Sequence, residues 1–496
     1  MNLNKVSASF DLLESTLGKE LSEPVRSSAT SNRLARSRAE FEKALLEVLG
    51  DNLQSKRVLI FSDGVRKASG VGHLSVDDLV LDCLRSAGAV VENVLLSELL
   101  ACSPVQVHAS VEAARAVQNF LSVREKAPVV VAGSGSVTDI VKQALYDLNW
   151  SDVPFVVVPT ALTVTAFTSH FAVLEEAGAK RTRVSRRVDS CVWFTPVLSS
   201  APVEMSRAGY GDLLARFVAY GDWYLGWKLG VAQRYDELAH RLMEPFAFHL
   251  RRHANAFAVW PVAAGAIEDL SALLAMAGIA MSVSGETTPL SGYEHAVSHA
   301  LDYLRLTSHR QLSWHGQQVG LASLASALSY DHLLSLDKIE LQQVRPQSAE
   351  RVRKLISQLL QTAPYFGPGE ASLSPQERKE GLLALQPQID AAAAIFTRDY
   401  LVKHELWCEA HTRIASFENE WPDICSHVRS LVIPAFEMES LLQLSGLATV
   451  PEELSQPTTA LEYRWAIRFA PFVRSRMSLG DLIFWLGEDP ALWAML

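Results

Sequence analysis

The chain has 496 residues, 49% hydrophobic and 20% charged, with 45 basic residues against 55 acidic ones and a net charge of −10. That length and apolar content bury a large core in two or three domains and exclude a disordered chain. The acidic balance works against phosphate backbones and anionic bilayers, so no nucleic-acid partner is expected. Residues 1–50 read as a helical N-terminal extension with a polar break at SEPVRSSATSNR. RVLIFSD (57–63) reads as a strand, and Ser75 as the cap of a helix with Asp77 and Asp78 in its first turn and Gly88 at its stop. AVVENVLL (89–96), PVVVAG (128–133) and VPFVVVPT (153–160) read as three more strands. Val-rich strands alternating with helices predict an α/β region, 51–205, built on a parallel sheet covered on both faces.

Near residue 205 the pattern changes. Leu213, Phe217, Tyr220, Tyr224 and Trp227 fall at helical spacing, and similar patterns continue. TAPYFGPGEASLSPQ (362–376) reads as a surface loop, after which helical spacing resumes almost to the end. Residues 206–496 are therefore expected to be all-helical. The most apolar stretch, 255–282, is interrupted by Pro261, Glu268 and Asp269, so no membrane span is expected. Five scattered cysteines without a CxxC pair, and an N-terminus without an apolar signal segment, predict a cytoplasmic protein with reduced thiols.

Gly133-Ser134-Gly135-Ser136 lies between a strand and a helix, where small residues let backbone N–H groups approach a phosphate. A tight turn without a ligand gives the same local pattern. Asp139 and Lys142 follow at fixed offsets (GSGSxxDxxK), and the next strand ends in Pro159-Thr160, whose hydroxyl would face the same crevice. The spacing differs from the usual Rossmann fingerprint. Asp63, at the end of the first strand, is either a ribose acceptor or an Asx-turn residue before Gly64.

Four of the fourteen histidines, His295, His299, His309 and His315, fall within residues 295–315. His295 and His299 are four apart and share a helix face, and His315 leads a following helix. Three N/O ligands with an open fourth position form a catalytic zinc pattern. Asp212 in AGYGDLLAR is the candidate carboxylate, read as sitting at a glycine-flanked helix start, where an ordinary N-cap is the alternative. For the histidines the alternative is a set of polar helix residues.

In this order GSGSxxDxxK, VPTxxTxxAFTS, AGYGDLLAR, SGYEHxxSHALD and HGQQVGL resemble the dehydroquinate-synthase-like superfamily, which includes the iron-containing alcohol dehydrogenases. SGYEHxxSH, HGQQVG, YGDWYLG (220–226) and FVRSRMSLGDL (472–482) are most similar to its sn-glycerol-1-phosphate dehydrogenase branch. The resemblance implies an NAD(P)-binding α/β domain (51–205), a helical metal-binding domain (206–496) and an active site in the cleft between them. It implies metal ligands Asp212, His295 and His315, with zinc first and nickel or iron also suited. Cofactor contacts map to Asp63, Gly133, Ser134, Gly135, Ser136, Asp139, Thr160 and Thr163, with NAD(H) and NADP(H) both open. The implied reaction is hydride transfer to the metal-polarised carbonyl of dihydroxyacetone phosphate. His299 is then a proton relay or a residue orienting a ligand. A homo-oligomer, as a homodimer, is also implied.

The chain departs from the branch where an Asp is usual and Thr165 stands, at Ala166, at His170 and at Thr288, so Thr165 and His170 are expected at an altered substrate site. A sugar-phosphate-cyclase type of lyase and an inactive binding protein on the same fold are the two alternatives to the dehydrogenase.

Overall fold

In the computed structural model the described residues are 9–50, 53–176, 178–341 and 347–494. Residues 1–8 of the expected N-terminal extension and 51–52 at the expected domain boundary lie outside them. Contacts divide the chain into two compact units, Met1–Glu176 with Arg181–Tyr210 and Leu238–Thr287, and Ala177–Lys180 with Gly211–Glu237 and Thr288–Leu496. The expected single boundary near 205 is thus replaced by a division that returns residues 238–287 to the first unit.

The first unit is built on eight strands, β1 (Ser31–Ala35), β2 (Arg57–Ser62), β3 (Val90–Leu95), β4 (Val129–Gly133), β5 (Phe155–Pro159), β6 (Phe171–Glu176), β7 (Ala179–Val184) and β8 (Ser190–Phe194). Six form a sheet in the order β1-β8-β5-β4-β2-β3, every pair parallel, and β6 and β7 form a separate ribbon. Four strands follow the sequence reading to within two residues at either end. β1 does not, because residues 31–35 were expected to be helical. SNRLA has neither Val runs nor strict alternation, and it becomes a strand by pairing with β8, Ser31 against Ser190 through Ala35 against Phe194.

Alternation sets the core. Val58 and Ile60, Val130 and Ala132, Val156 and Val158, and Val192 and Phe194 present one sheet face. They pack against Phe41 and Leu45 of helix Arg38–Leu49 and Leu79, Val80 and Leu84 of helix Val76–Ser86. Each such fully buried side chain contributes about 1.5–3 kcal/mol. The second of these helices starts on a Ser75/Asp78 capping box, and Gly88 takes a left-handed φ of 83° just beyond its end. β2 leads to β3 on one side and β4 returns to the other, so the strand order reverses between β2 and β4. Register Phe61↔Val131 then sets Asp63 beside Gly133 at the carboxyl ends of neighbouring strands, where open α/β sheets bind ligands.

Helix Ala264–Ser284 is long and apolar enough to cross a membrane by length and composition, which the sequence reading had excluded. Glu268 and Asp269 fall near its start and leave a continuous apolar run behind them. Within the first unit 78% of its apolar window is buried, and the Thr168 hydroxyl donates to Ala275 O at 2.7 Å. It is a core helix of that unit.

The second unit is helical, with no strand after Phe194 among the described residues apart from the two β7 residues it shares. Helices Tyr293–Thr307 and His315–Ser335 pack side by side. Farther along, Trp407 and Trp485 stack with ring centres 4.5 Å apart. A buried ion pair, Lys403 Nζ to Asp481 Oδ1 at 2.8 Å, fastens helix Pro375–Glu409 to the C-terminal segment, and Lys403 also donates to the carbonyls of Pro471 and Arg476.

Candidate metal and nucleotide sites

Asp212, His295 and His315 come together in the second unit, one ligand atom from each within 4.8 Å of the others. Asp212 sits in the last turn of helix Val203–Leu214, not at a helix start. The flanking glycines have another cause. A Cβ on Gly211 would lie 2.2 Å from Gly316 O, so Gly211 lets the Asp212 backbone approach the first turn of the helix that His315 opens. Asp212 Oδ1 lies 3.2 Å from His295 Nε2 and 3.7 Å from His315 Nε2, and is buried without a well-aligned hydrogen bond.

The far nitrogens explain this. His295 Nδ1 donates to Glu294 Oε1 at 2.8 Å, and Glu294 Oε1 also accepts from Gly292 N at 2.6 Å. His315 Nδ1 donates to Ser298 Oγ at 3.1 Å, and that hydroxyl donates in turn to Gln318 Oε1 at 2.8 Å. With both Nδ1 atoms protonated, the neutral rings turn Nε2 lone pairs toward a carboxylate lone pair. Three such donors converging in a buried place repel one another unless a cation sits among them, so these residues fit a divalent metal.

The electrostatics separate the two rings. Burial presses His295 down, but the Asp212 and Glu294 carboxylates beside it outweigh that and lift it above its ordinary value, drawing to the ring the positive charge that a cation would otherwise bring. Burial, helped by Lys180, pushes His315 down to about 3. His299 is held well below its ordinary value by burial and then by Arg474, whose Nη2 lies 3.4 Å from His299 Nε2. Behind Glu294, Asp222 of the YGDWYLG segment accepts from Tyr293 N and Tyr330 Oη, and burial beside Glu294 pushes it up to about 7. A Cβ on Gly292 would lie within 2.9 Å of oxygens from both carboxylates, which is why that position has no side chain.

In the first unit Ser134 caps helix Gly135–Asp147 without using its side chain, which leaves the first-turn N–H groups to other acceptors. A Cβ on Gly133 or Gly135 would strike Val137 or Val164 within 2.7 Å, so the turn is closed by packing as well as open to a phosphate. Thr160 N donates to Gly133 O, and Thr160 Oγ1 is buried without a partner. Glycine turn and orphaned hydroxyl together fit a nucleotide's phosphates. Ser136 follows in the helix, and Thr163 and Thr165 lie half-buried in the loop beyond β5.

Two other expected contacts serve the protein itself. Asp139 Oδ2 accepts from Val173 N and Oδ1 pairs with Lys142 Nζ at 2.9 Å, while Lys142 also donates to Ala166 O. The GSGSxxDxxK spacing thus pins the helix to the following loop. Asp63 Oδ1 takes Val65 N at 2.8 Å and Lys67 Nζ, the Asx-turn arrangement. His170 packs against Phe171 with the rings tilted by 36° and lines a cavity of about 200 Å³ with Thr30, Arg187 and Ser282. His309 takes a left-handed φ of 54° in the turn beyond the first histidine helix.

Glu294, Ser298, Asp222 and Arg474 were missed as site residues. Glu294 precedes a ligand and Ser298 follows it at i+3, a signal available in SGYEHAVSH. Asp222 and Arg474 reach the site only through tertiary packing. A second trio, His249, His253 and Asp269, also meets within 4.8 Å in the first unit, with His249 Nδ1 and His253 Nε2 donating to Asp269 Oδ2 at 2.9 and 2.7 Å.

Residues 51–202 match the family model described as iron-containing alcohol dehydrogenase. The chain is 27% identical over 302 residues to a glycerol-1-phosphate dehydrogenase [NAD(P)+] of Bacillus velezensis, covering 61% of this chain and 72% of that protein. It is 31% identical over 226 residues to the protein of that name in Haloquadratum walsbyi, covering 44% and 60%. Glycerol dehydrogenase of Schizosaccharomyces pombe aligns in structure at 16% identity with a TM-score of 0.46, over 77% of this chain and 91% of that one. In its α/β region, residues 51–202, the chain is thus similar to the iron-containing alcohol dehydrogenases.

Proposed function

We propose that this chain is a metal-dependent, NAD(P)-linked polyol-phosphate dehydrogenase that reduces the carbonyl of dihydroxyacetone phosphate or a close keto analogue. The observation that carries the reading is the convergence of Asp212, His295 and His315 with their lone pairs inward. The glycine turn at 133–135 supports a dinucleotide, and the relatives' names supply the substrate class. Zinc suits the donor set first, with nickel and iron also suited. When bound, the divalent metal supplies Lewis-acid polarisation of the carbonyl and the reduced nicotinamide supplies the hydride.

Asp212 brings the negative charge and the two neutral imidazoles complete the set. Glu294 and Ser298 fix the tautomer and orientation of those rings. Ser134, Gly135 and Ser136 present backbone N–H groups at the helix start, and Thr160, Thr163 and Asp63 border the crevice. His299, one turn along from His295, is the side chain assigned to the proton reaching the new hydroxyl, and Thr165 and His170 are kept as substrate-side candidates. Five cysteines without a disulfide among the described residues agree with a reducing compartment, the cytoplasm in this reading, and a homo-oligomer belongs to it as well.

The test is the protein reloaded with zinc, nickel or iron and given NADH or NADPH with a panel of ketones and aldehydes. Loss of reduced-nicotinamide absorbance with dihydroxyacetone phosphate is expected. No net change with any carbonyl compound would sink the dehydrogenase reading and favour the lyase.

A further inference from the structure

Arg186 and Arg187 follow one another beyond β7, and their surroundings differ. Arg186 is buried, pairs with Asp189 Oδ2 at 2.8 Å and donates to Val153 O. Arg187 is half-buried, and among the described residues its side chain has no ion pair and no hydrogen bond, with Nε enclosed by protein. A guanidinium keeps its charge at any working pH, so burying part of it without a carboxylate is unfavourable until an anion joins it.

Arg187 lines the cavity of about 200 Å³ that His170 also borders. Every wall comes from the first unit: residues 25–30 of the N-terminal extension, Thr168 and His170 ahead of β6, and Ser282 near the end of helix Ala264–Ser284. Residues 25–30 lie outside the stretch 51–202 that matches the family model, so the matched stretch does not supply this site by itself.

Among the described residues no carboxylate lines the cavity. Its hydroxyls are committed to the protein. Ser28 Oγ donates to Val25 O at 2.8 Å and Thr30 Oγ1 to Val188 O at 2.7 Å, while Ser282 Oγ accepts from His170 N at 3.0 Å. The donors left over are the Arg187 fork and the His170 ring, whose nitrogens have no hydrogen bond among the described residues. Burial, with Lys142 and Arg187, holds His170 below its ordinary value, so the neutral ring offers one N–H. A carboxylate or phosphate head group takes such a fork bidentately, and the volume suits a head group on a short stem.

We propose that this cavity binds a small oxyanion, the carboxylate or phosphate head of a compact metabolite, through bidentate bonds from Arg187 and a hydrogen bond from His170. The site needs neither the metal nor the nicotinamide and stands apart from the dehydrogenase reading.

The experiment is calorimetry of the full-length protein with inorganic phosphate and, separately, acetate. The unaltered chain is expected to bind at least one of them, and the tighter one identifies the head group. Arg187→Met weakens that binding about 10-fold or more, the scale of lost charge-assisted bonds. Arg187→Lys, which keeps the charge without the fork, falls between. His295→Ala, altered at the candidate metal cluster, keeps the binding. Neither anion bound, affinity unchanged in Arg187→Met, or binding lost in His295→Ala would each overturn the site. A second measurement covers a failure of Arg187→Met to fold. The imidazole proton signal of His170, assigned by its absence from His170→Gln, shifts when the tighter anion is added to the unaltered protein. A signal that stays in place at saturation overturns the site as well.

Discussion

Among the described residues the chain holds two His/His/Asp trios of the same composition and similar span, one in each unit, and their chemistry is opposite. In the second unit Glu294 and Ser298 take the protons of His295 and His315 on the far side, so both Nε2 atoms turn lone pairs toward Asp212. In the first unit, among the described residues, no such partner directs the rings, and His249 and His253 both aim N–H groups at Asp269 Oδ2. The first arrangement calls for a cation, and the second is satisfied by its own hydrogen bonds. Residue type and proximity do not distinguish a metal site from a hydrogen-bonded knot. The group behind each ring does.

The largest expected effect tests that contrast directly. His295→Ala loses the bound metal and at least about 10³-fold in turnover, since several kcal/mol of charge stabilisation go with the ion. His249→Ala keeps metal content and turnover, and loss of one metal equivalent from that variant would break the contrast. Glu294→Gln keeps the ligand but weakens the partner that orients it, so metal affinity is expected to fall about 10–100-fold in a chelator competition.

Asp269→Asn acts on stability and leaves metal content unchanged. Burial alone would raise this carboxyl, but hydrogen bonds to His249 and His253 hold it down to about 2. A depressed carboxylate stabilises the fold above its unfolded pKa of about 4 and loses that contribution as pH falls toward its folded value. The variant should therefore be weaker by ~2 kcal/mol near neutrality in urea titrations, with the gap closing between about pH 4 and pH 2. A gap that widens on acidification would contradict the assignment. Ser298→Ala carries the smallest effect, a metal affinity lower by less than about 10-fold, because His315 keeps its place at the helix start.

Legibility followed the range of the interactions. β2, β4 and β5 could be read because each buries both faces and its apolar runs are local signals, and the edge strand β3 because its own apolar run is local too. Capping marked helix Val76–Ser86 for the same reason. β1 was hidden, since five mixed residues are extended only by pairing with a strand 159 positions later, Ser31 against Ser190. At the candidate metal site the donors were visible as residue types at helical spacing, and their convergence was not. The glycines around Asp212 read as a helix start, while the role of Gly211 is to let two helices touch. Asp139 looked like a ligand of the glycine turn because its spacing is regular, but regular spacing on a helix equally serves an i,i+3 ion pair with Lys142.

The parallel pairing of β1 with β8 has a practical side. A chain trimmed to the homologous stretch that begins at residue 51 would lose residues 31–35 and bare the flank of β8, whose residues Ser190–Phe194 are all buried. Open backbone along an apolar strand recruits other strands. Such a truncated protein should precipitate or assemble into sheet-stacked aggregates on expression, even though every residue of the nucleotide turn is still present.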